Sequence, residues 1–196
     1  MIYMADTADL GELKKLYQFF PLEGVTTNPT ILKQSGLKLS VAVAEIQKLV
    51  GAGMVHVQVI SNTADDMVRE AKKYKSFFDF GDNFYAKIPV TENGYRAIKM
   101  LKDAGINVTA TAIFTQQQAL VSAKAGADFV APYVSRLDNI SSHGIEVVSD
   151  IVQNTIDLNF TPKCWPRALK LSTKFIGLAR QVLNRQLLTP NCCTNW

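Results

Sequence analysis

Residues 84–91 read Phe-Tyr-Ala-Lys-Ile-Pro-Val-Thr, which places one lysine inside an aromatic and β-branched run typical of a buried strand. Pro89 is expected to mark the point where this strand stops pairing. Burial disfavours the charged form of a lysine, and a neutral amine is a nucleophile that forms Schiff bases with carbonyl compounds. The alternative is a lysine at a strand end whose stem is buried and whose amine reaches water.

The composition is that of a globular protein rather than a disordered chain. The sequence has 196 residues, of which 47% are hydrophobic and 19% charged, enough for one domain with a sizeable core. No apolar run approaches the roughly 20 residues of a membrane span. The first residues do not resemble a signal peptide. We therefore expect a cytoplasmic protein without a membrane partner.

The basic residues are unevenly distributed. Residues 1–163 carry 16 basic and 17 acidic residues, whereas residues 164–196 carry five basic and no acidic ones. All three cysteines also lie beyond residue 163, in a spacing that fits neither a disulfide framework nor a zinc site. Five spread charges with few aromatic residues make a poor nucleic-acid footprint, so we expect no nucleic-acid partner. We divide the chain into a domain, 1–163, and a basic tail, 164–196, that is expected to be partly helical.

Strand and helix patterns alternate along the first part of the chain. The predicted strands are 2–6, 24–27, 54–60, 84–88, 106–110 and 128–133, each followed by a helical pattern. Six such units in succession predict a parallel α/β architecture, either a barrel or a doubly wound sheet. No glycine-rich dinucleotide or P-loop motif follows any strand, which argues against nucleotide binding.

Polar residues stand at the carboxyl ends of these strands. They are Asp6, Thr27 with Asn28, Gln58, Lys87, Thr111 and Tyr133. In a parallel barrel these ends converge on one mouth, where active sites are built. Taken singly, Asp6 and Asn28 could be helix caps, but together with a buried lysine the set predicts a catalytic site. His56 and His143 are interpreted as structural or surface residues, and we expect no metal site.

Five segments resemble the small transaldolase family, and most of all its fructose-6-phosphate aldolase branch. They are Met1–Thr7, Gly24–Thr30, Ala86–Thr91, Thr111–Phe114 and Ala131–Arg136. The resemblance covers residues 1 to about 163. It implies a (β/α)8 TIM barrel, a metal-free Schiff-base chemistry without a cofactor, sugar-phosphate and small ketone or aldehyde substrates, and a homo-oligomer if the C-terminus permits.

The resemblance also implies roles for individual residues. Lys87 matches the Schiff-base lysine, and Asp6 matches the carboxylate that handles the proton of the hydroxyl at the cleaved carbon. The remaining residues match positions that bind water or substrate. Gln58, Thr111 and Tyr133 match the residues that hold the catalytic water. Asn28 with Thr27 matches the contacts to substrate hydroxyls, and Arg136 matches a phosphate-binding arginine.

Two positions favour one branch of the family. Related transaldolases resemble one another in having Glu and Phe where this chain has Gln58 and Tyr133. A phenol can donate and accept a proton, so the enamine can be protonated and released. The expected reaction is cleavage or formation of fructose 6-phosphate. The alternatives are a transaldolase, which transfers a dihydroxyacetone unit between sugar phosphates, and a non-catalytic relic.

The resemblance stops at Cys164. The family would supply a seventh strand similar to Val-Leu-Ala-Ala-Ser-Phe-Lys, and this chain reads Cys164-Trp165-Pro166-Arg167-Ala168-Leu169-Lys170. If the codons from Lys163 onward are read in a shifted frame, the residues they can encode are compatible with the family strand. At the positions of its leucine and one of its alanines, the shifted codons can encode no other residue. Our hypothesis is a frameshifted tail that leaves the last two βα units of the barrel missing or disrupted and impairs activity.

Overall fold

The computed structural model describes residues 2–139 and 144–157. The strands are β1 (Met4–Ala5), β2 (Gly24–Thr26), β3 (Met54–Gln58), β4 (Phe84–Pro89), β5 (Asn107–Ile113) and β6 (Phe129–Pro132). The helices are α1 (Leu10–Phe19), α2 (Pro29–Gln34), α3 (Leu39–Val50), α4 (Ala64–Phe78), α5 (Glu92–Asp103), α6 (Gln116–Lys124), α7 (Val134–Asn139) and α8 (Gly144–Asp157). The tail 164–196, its expected helix and His143 lie outside the described residues.

The six strands form one parallel sheet in the order of the sequence, β1 to β6. Helices alternate with strands, so successive units repeat one connection and the sheet curls as part of a (β/α)8 barrel. The predicted α/β barrel class is therefore confirmed, with six of its strands among the described residues. Within this part of the chain, no helix is long and apolar enough to cross a membrane.

The two faces of the sheet differ in polarity because successive side chains of a strand point to opposite faces. The face covered by helices is apolar, and its strand residues belong to one core: Ala5, Val25, Val55, Val57, Phe84, Ala86, Ile88, Val108, Ala110 and Val130. The opposite face carries the polar residues of the same strands: Thr26, His56, Gln58, Tyr85, Lys87, Asn107, Thr109 and Thr111. The inner face is thus largely polar in β3, β4 and β5, and the main apolar core lies between sheet and helices.

Side chains from the strand-to-helix turns fix where the helices begin. Asp9, Asn28, Thr63, Thr91 and Thr115 are N-caps, and each accepts a hydrogen bond from the amide three residues on. These caps set the direction in which each helix leaves the carboxyl end of its strand.

Several predicted strand ends were wrong, and β5 runs to Ile113 rather than to residue 110. Strand β4 includes Pro89, which pairs with Thr111, and the Val90 amide donates to the Thr111 carbonyl at 3.0 Å. Proline is tolerated because its nitrogen faces the side where β3 has already ended. Strand β3 ends at Gln58 rather than Ile60, because the Ile60 amide donates to the Glu70 side chain instead.

A short helix, α7, was not predicted by the sequence pattern. It spans Val134–Asn139, directly after β6, and it carries Arg136. Six residues are too few for a clear helical period, so the pattern gave no signal there.

Gly94 is a position where the fold has no room for a side chain. It is the third residue of α5, and a Cβ there would overlap the carbonyl oxygen of Pro89 at the end of β4. We expect Gly94→Ala to lower the free energy of unfolding by about 1–3 kcal/mol, since overpacking displaces the helix from the strand. Urea denaturation measures this.

Gly11→Ala on α1 is the matched control. Its Cβ would meet the Asp9 Oδ1 atom that caps α1, at 3.2 Å, and this side-chain atom can shift by a few tenths of an ångström, so we expect a smaller loss of stability than for Gly94→Ala. Equal stability of Gly94→Ala and wild type would contradict the close approach of α5 to β4.

Candidate active site

The Lys87 amine is buried, as its position in the sequence predicts. Lys87 lies in β4 with 5% of its surface exposed. Its Nζ donates to Thr26 Oγ1 at 2.9 Å and to the Thr27 carbonyl oxygen at 2.6 Å. Two short hydrogen bonds compensate the loss of water around the amine. The interpretation of Lys87 as a surface lysine with only its stem buried is therefore wrong.

Gln58 and Thr111 lie beside Lys87 on the polar face. Gln58 is the register partner of Lys87 on β3, and Thr111 is the register partner of Pro89 on β5. The Gln58 Oε1 atom is buried and has no hydrogen-bond partner among the described residues, and Thr111 is 2% exposed. An unpaired buried acceptor is costly, which indicates a group that a substrate or water can satisfy.

Asp6 follows β1 and lines a cavity of about 590 Å³ between the β1–α1 loop, α1 and α2. Its role as the cap of α1 is excluded, because Asp9 is the N-cap and accepts from the Glu12 amide. The Asp6 carboxylate thus lies at the same edge of the sheet as the other strand ends.

Asn28 and Thr27 use part of their polar groups within the protein. The Asn28 Oδ1 atom caps α2 by accepting from the Ile31 amide at 3.0 Å, which confirms the capping interpretation. The Thr27 side chain is fully buried, and its hydroxyl donates to the His56 carbonyl at 3.0 Å. Thr27 therefore reaches Lys87 through its backbone carbonyl rather than its side chain.

Tyr133 and Arg136 form a pair at the end of β6. The Arg136 guanidinium lies 4.5 Å from the centre of the Tyr133 ring, and the ring of Phe114 meets Tyr133 edge-on at 5.4 Å. This arrangement is a cation–π contact, and it fixes the two side chains relative to each other.

The backbone is strained next to Thr111. Ala112 has φ +60°, and the pairing of β5 with β6 shifts register between Thr111 and Ile113. A left-handed alanine costs about 1–2 kcal/mol. Such a bulge redirects the side chains beside it, and strain of this kind is concentrated at functional sites.

Sequence reasoning missed three residues of the site. The Thr26 hydroxyl accepts the hydrogen bond from Lys87. Thr109 is the β5 register partner of Lys87, and its hydroxyl lies 2.8 Å from His56 Nδ1. His56 is fully buried, stacks on Tyr85 at 4.5 Å and meets the Phe129 ring at 5.1 Å. The available signal was the alternation of side chains between the two faces of each strand, because it places all three residues on the same face as Lys87.

The electrostatics of His56 depend on its burial. Burial, together with the nearby Lys87, lowers the pKa of His56 well below its ordinary value of 6.5. The His56 Nε2 atom has no hydrogen-bond partner among the described residues. His56 is thus held neutral beneath the lysine. Among the described residues, no group of three or more His, Cys, Asp or Glu side chains is placed to hold a metal ion.

The lowered pKa of His56 predicts an acid-dependent loss of stability. Between pH 6.5 and the folded-state pKa of His56, the histidine is protonated in the unfolded chain but neutral in the folded chain. The free energy of unfolding therefore decreases as the pH falls. One such group contributes a slope of up to about 1.4 kcal/mol per pH unit. Urea unfolding of wild type and of His56→Phe between pH 5 and 8 measures this contribution.

His56→Phe keeps a ring against Tyr85 but cannot titrate. The difference in unfolding free energy between the two proteins should therefore change with pH below 6.5 and stay constant above it. A pH-independent difference would contradict a buried neutral histidine.

The geometry brings the predicted residues to one edge of the sheet. Lys87 contacts Thr27 directly and pairs with Gln58, while Tyr133 contacts Arg136. Asp6, Asn28 and Thr111 end or follow neighbouring strands at the same edge. A buried amine beside hydroxyl and carboxamide groups can form a covalent adduct with a carbonyl compound.

The chain is similar in sequence to proteins of one family. A sequence profile of the family described as transaldolase/fructose-6-phosphate aldolase matches residues 3–179. A probable fructose-6-phosphate aldolase of Streptococcus pneumoniae is 40% identical over 153 residues, covering 77% of this chain and 68% of that protein. A probable transaldolase of Clostridium tetani is 41% identical over 160 residues, covering 82% and 72%.

Solved structures show the same fold at low identity. Dihydrodipicolinate synthase from Rhodopseudomonas palustris aligns with a TM-score of 0.54 at 12% identity, over 82% of this chain and 60% of that chain. An enolase superfamily member from Agrobacterium tumefaciens aligns with a TM-score of 0.58 at 12% identity, over 92% of this chain and 46% of that one. This chain thus spans less than two thirds of either structure.

The profile match extends over most of the chain, and the relatives named above share about 40% of aligned residues with it. The chain belongs to the transaldolase/fructose-6-phosphate aldolase family of enzymes.

Proposed function

We propose that this chain is a class I aldolase that cleaves or forms fructose 6-phosphate from dihydroxyacetone and glyceraldehyde 3-phosphate. The proposal is carried by the Lys87 amine, which is 5% exposed yet lies at the edge where the strands end, hydrogen-bonded to Thr26 and Thr27. A lysine kept from water in this position can attack a ketone, and family membership supports that use.

The reaction begins at the carbonyl carbon of the ketose. The Lys87 amine adds to this carbon to give a carbinolamine, which loses water and becomes an iminium ion. The hydrogen bonds to Thr26 and the Thr27 carbonyl orient the amine before attack, which reduces the entropy cost of the step. The cationic nitrogen then accepts the electron pair of the bond that breaks.

Asp6 assists the cleavage. Its carboxylate takes the proton of the hydroxyl on the cleaved carbon, so that carbon becomes the carbonyl of glyceraldehyde 3-phosphate while the three-carbon part stays on Lys87 as an enamine.

Tyr133, Gln58 and Thr111 act on the enamine. We assign to them the water that carries a proton between the Tyr133 hydroxyl and the enamine carbon, after which hydrolysis of the iminium releases dihydroxyacetone. The unpaired Gln58 Oε1 supports this role because it offers a buried acceptor to such a water.

The remaining residues bind the substrate. The Arg136 guanidinium is exposed and would hold the phosphate by charge-assisted hydrogen bonds. Asn28 would contact substrate hydroxyls through its amide nitrogen, since its oxygen caps α2. Thr27 contributes its carbonyl at the lysine rather than a side-chain contact.

The choice between aldolase and transaldolase rests on Gln58 and Tyr133. Relatives carry both names, so family membership alone does not separate the two activities. The phenol of Tyr133 lies at the end of β6 beside Arg136, where it can protonate an enamine that a phenylalanine would leave intact. We therefore favour release of dihydroxyacetone over its transfer to a second aldehyde.

Borohydride trapping tests the proposal. Incubation with dihydroxyacetone and sodium borohydride should reduce the iminium to a stable secondary amine at Lys87, which peptide mass spectrometry locates. Lys87→Met should abolish the adduct. No adduct on the wild-type chain would favour a non-catalytic relic, and turnover only in the presence of an acceptor aldehyde would favour a transaldolase.

Tyr133→Phe tests the assignment of the aldolase branch. Loss of the proton donor should lower fructose 6-phosphate cleavage by about 100-fold or more, while transfer to an added acceptor aldehyde falls less, because the enamine persists. The ratio of the two rates is the measurement. Tyr95→Phe on α5 is the control, and an unchanged ratio in Tyr133→Phe would remove the assigned role.

A further inference from the structure

The Glu70 carboxylate accepts hydrogen bonds from four donors, three in one loop and one on its own helix. Its carboxylate oxygens accept from the Ile60 amide at 3.1 Å, the Ser61 amide at 3.0 Å, the Ser61 hydroxyl at 2.6 Å and the Tyr74 hydroxyl at 2.5 Å. Glu70 lies on α4, whereas Ile60 and Ser61 belong to the loop that follows β3. The carboxylate thus fastens this loop to the helix beside it.

The contacts favour an ionised carboxylate. Four donors point at its two oxygens, and a carboxylate has about four acceptor sites, whereas a neutral carboxamide has one oxygen and would turn an N–H group toward some of these donors. Burial alone raises the pKa of Glu70, and the bonds from Ser61, Tyr74 and Ile60 outweigh burial and lower it. Among the described residues, no lysine or arginine forms an ion pair with Glu70.

The fastened loop is continuous with the candidate active site. Val59 precedes Ile60, is fully buried, and donates its amide to the Lys87 carbonyl at 3.1 Å. Gln58, the residue before Val59, is the register partner of Lys87 and carries the unpaired buried oxygen. Four consecutive residues therefore connect the Glu70 carboxylate to both the lysine and the carboxamide.

The same loop also explains why β3 stops at Gln58. Beyond that residue the Ile60 and Ser61 amides turn to Glu70, so the backbone leaves the sheet at the level of Lys87. Moving the loop would move the Gln58 side chain, since the two share a short stretch of backbone.

We propose that Glu70 is a positioning residue of the Lys87 site, whose carboxylate holds the Val59–Ser61 turn and thereby sets the positions of the Gln58 carboxamide and the Lys87 backbone for aldol cleavage. This inference rests on the proposed aldolase function. It gives Glu70 a role in the rate of the reaction in addition to any role in stability.

The test is the steady-state kinetics of Glu70→Gln with fructose 6-phosphate, measured at a temperature where circular dichroism shows the variant folded. We expect kcat to fall roughly 10- to 100-fold, because small misplacements of reacting groups cost rate on that order. KM should change by less than about threefold, since Glu70 does not contact the substrate. A merely structural role would leave kcat per folded molecule unchanged.

Glu45→Gln is the matched control. Glu45 also accepts a short hydrogen bond, from Lys48 at 2.7 Å, but it lies on the outer helix α3 and should leave kcat unchanged. A kcat of Glu70→Gln within about twofold of wild type would overturn the inference. If that variant does not fold, Glu70→Asp decides, because it keeps the charge but withdraws the oxygens, and a kcat within about twofold of wild type overturns the inference equally.

Borohydride trapping separates the two ways to fail. A wild-type chain that forms no dihydroxyacetone adduct at Lys87 removes the proposed function and with it this inference. A wild-type chain that forms the adduct and cleaves substrate, beside a Glu70→Gln variant that does so equally fast, removes the inference alone.

Discussion

The hydrogen bonds from the Lys87 amine to Thr26 and to the Thr27 carbonyl connect β4 to β2 across the intervening β3. These bonds compensate the loss of hydration of Lys87, a residue that is only 5% exposed. They also fix the amine at the carboxyl edge of the sheet, where side chains of all six strands converge. Gln58 on β3 and Thr109 on β5 are the register partners of this lysine.

Buried polar groups on the inner face of the sheet lower the free energy of unfolding, and apolar burial on the helix-covered face offsets this loss. His56 and Gln58 each keep a buried polar atom without a partner among the described residues, and each such atom costs about 1–3 kcal/mol. The helix-covered face is apolar throughout and supplies the hydrophobic stabilisation. Separating stability from chemistry on opposite faces allows the inner face to hold groups chosen for reactivity.

The sequence predicted most of the fold but less of the site. Alternating strand and helix patterns predicted the parallel α/β class, and the apolar run around Lys87 predicted its burial. Thr26 was missed and Thr27 was assigned to the substrate rather than to Lys87, because a contact between β2 and β4 spans about 60 residues and no local pattern reports it. Tertiary contacts also overruled strand propensity at Ile60, where Glu70 draws the backbone away from the sheet.

A crystal structure of the chain soaked with dihydroxyacetone would show whether the Lys87 amine forms the Schiff base. We expect continuous density from Lys87 Nζ to the central carbon of the ketone, with the Asp6 carboxylate and the Tyr133 hydroxyl both facing the adduct. Dihydroxyacetone bound elsewhere, with the Lys87 amine still donating to Thr26 and the Thr27 carbonyl, would contradict it.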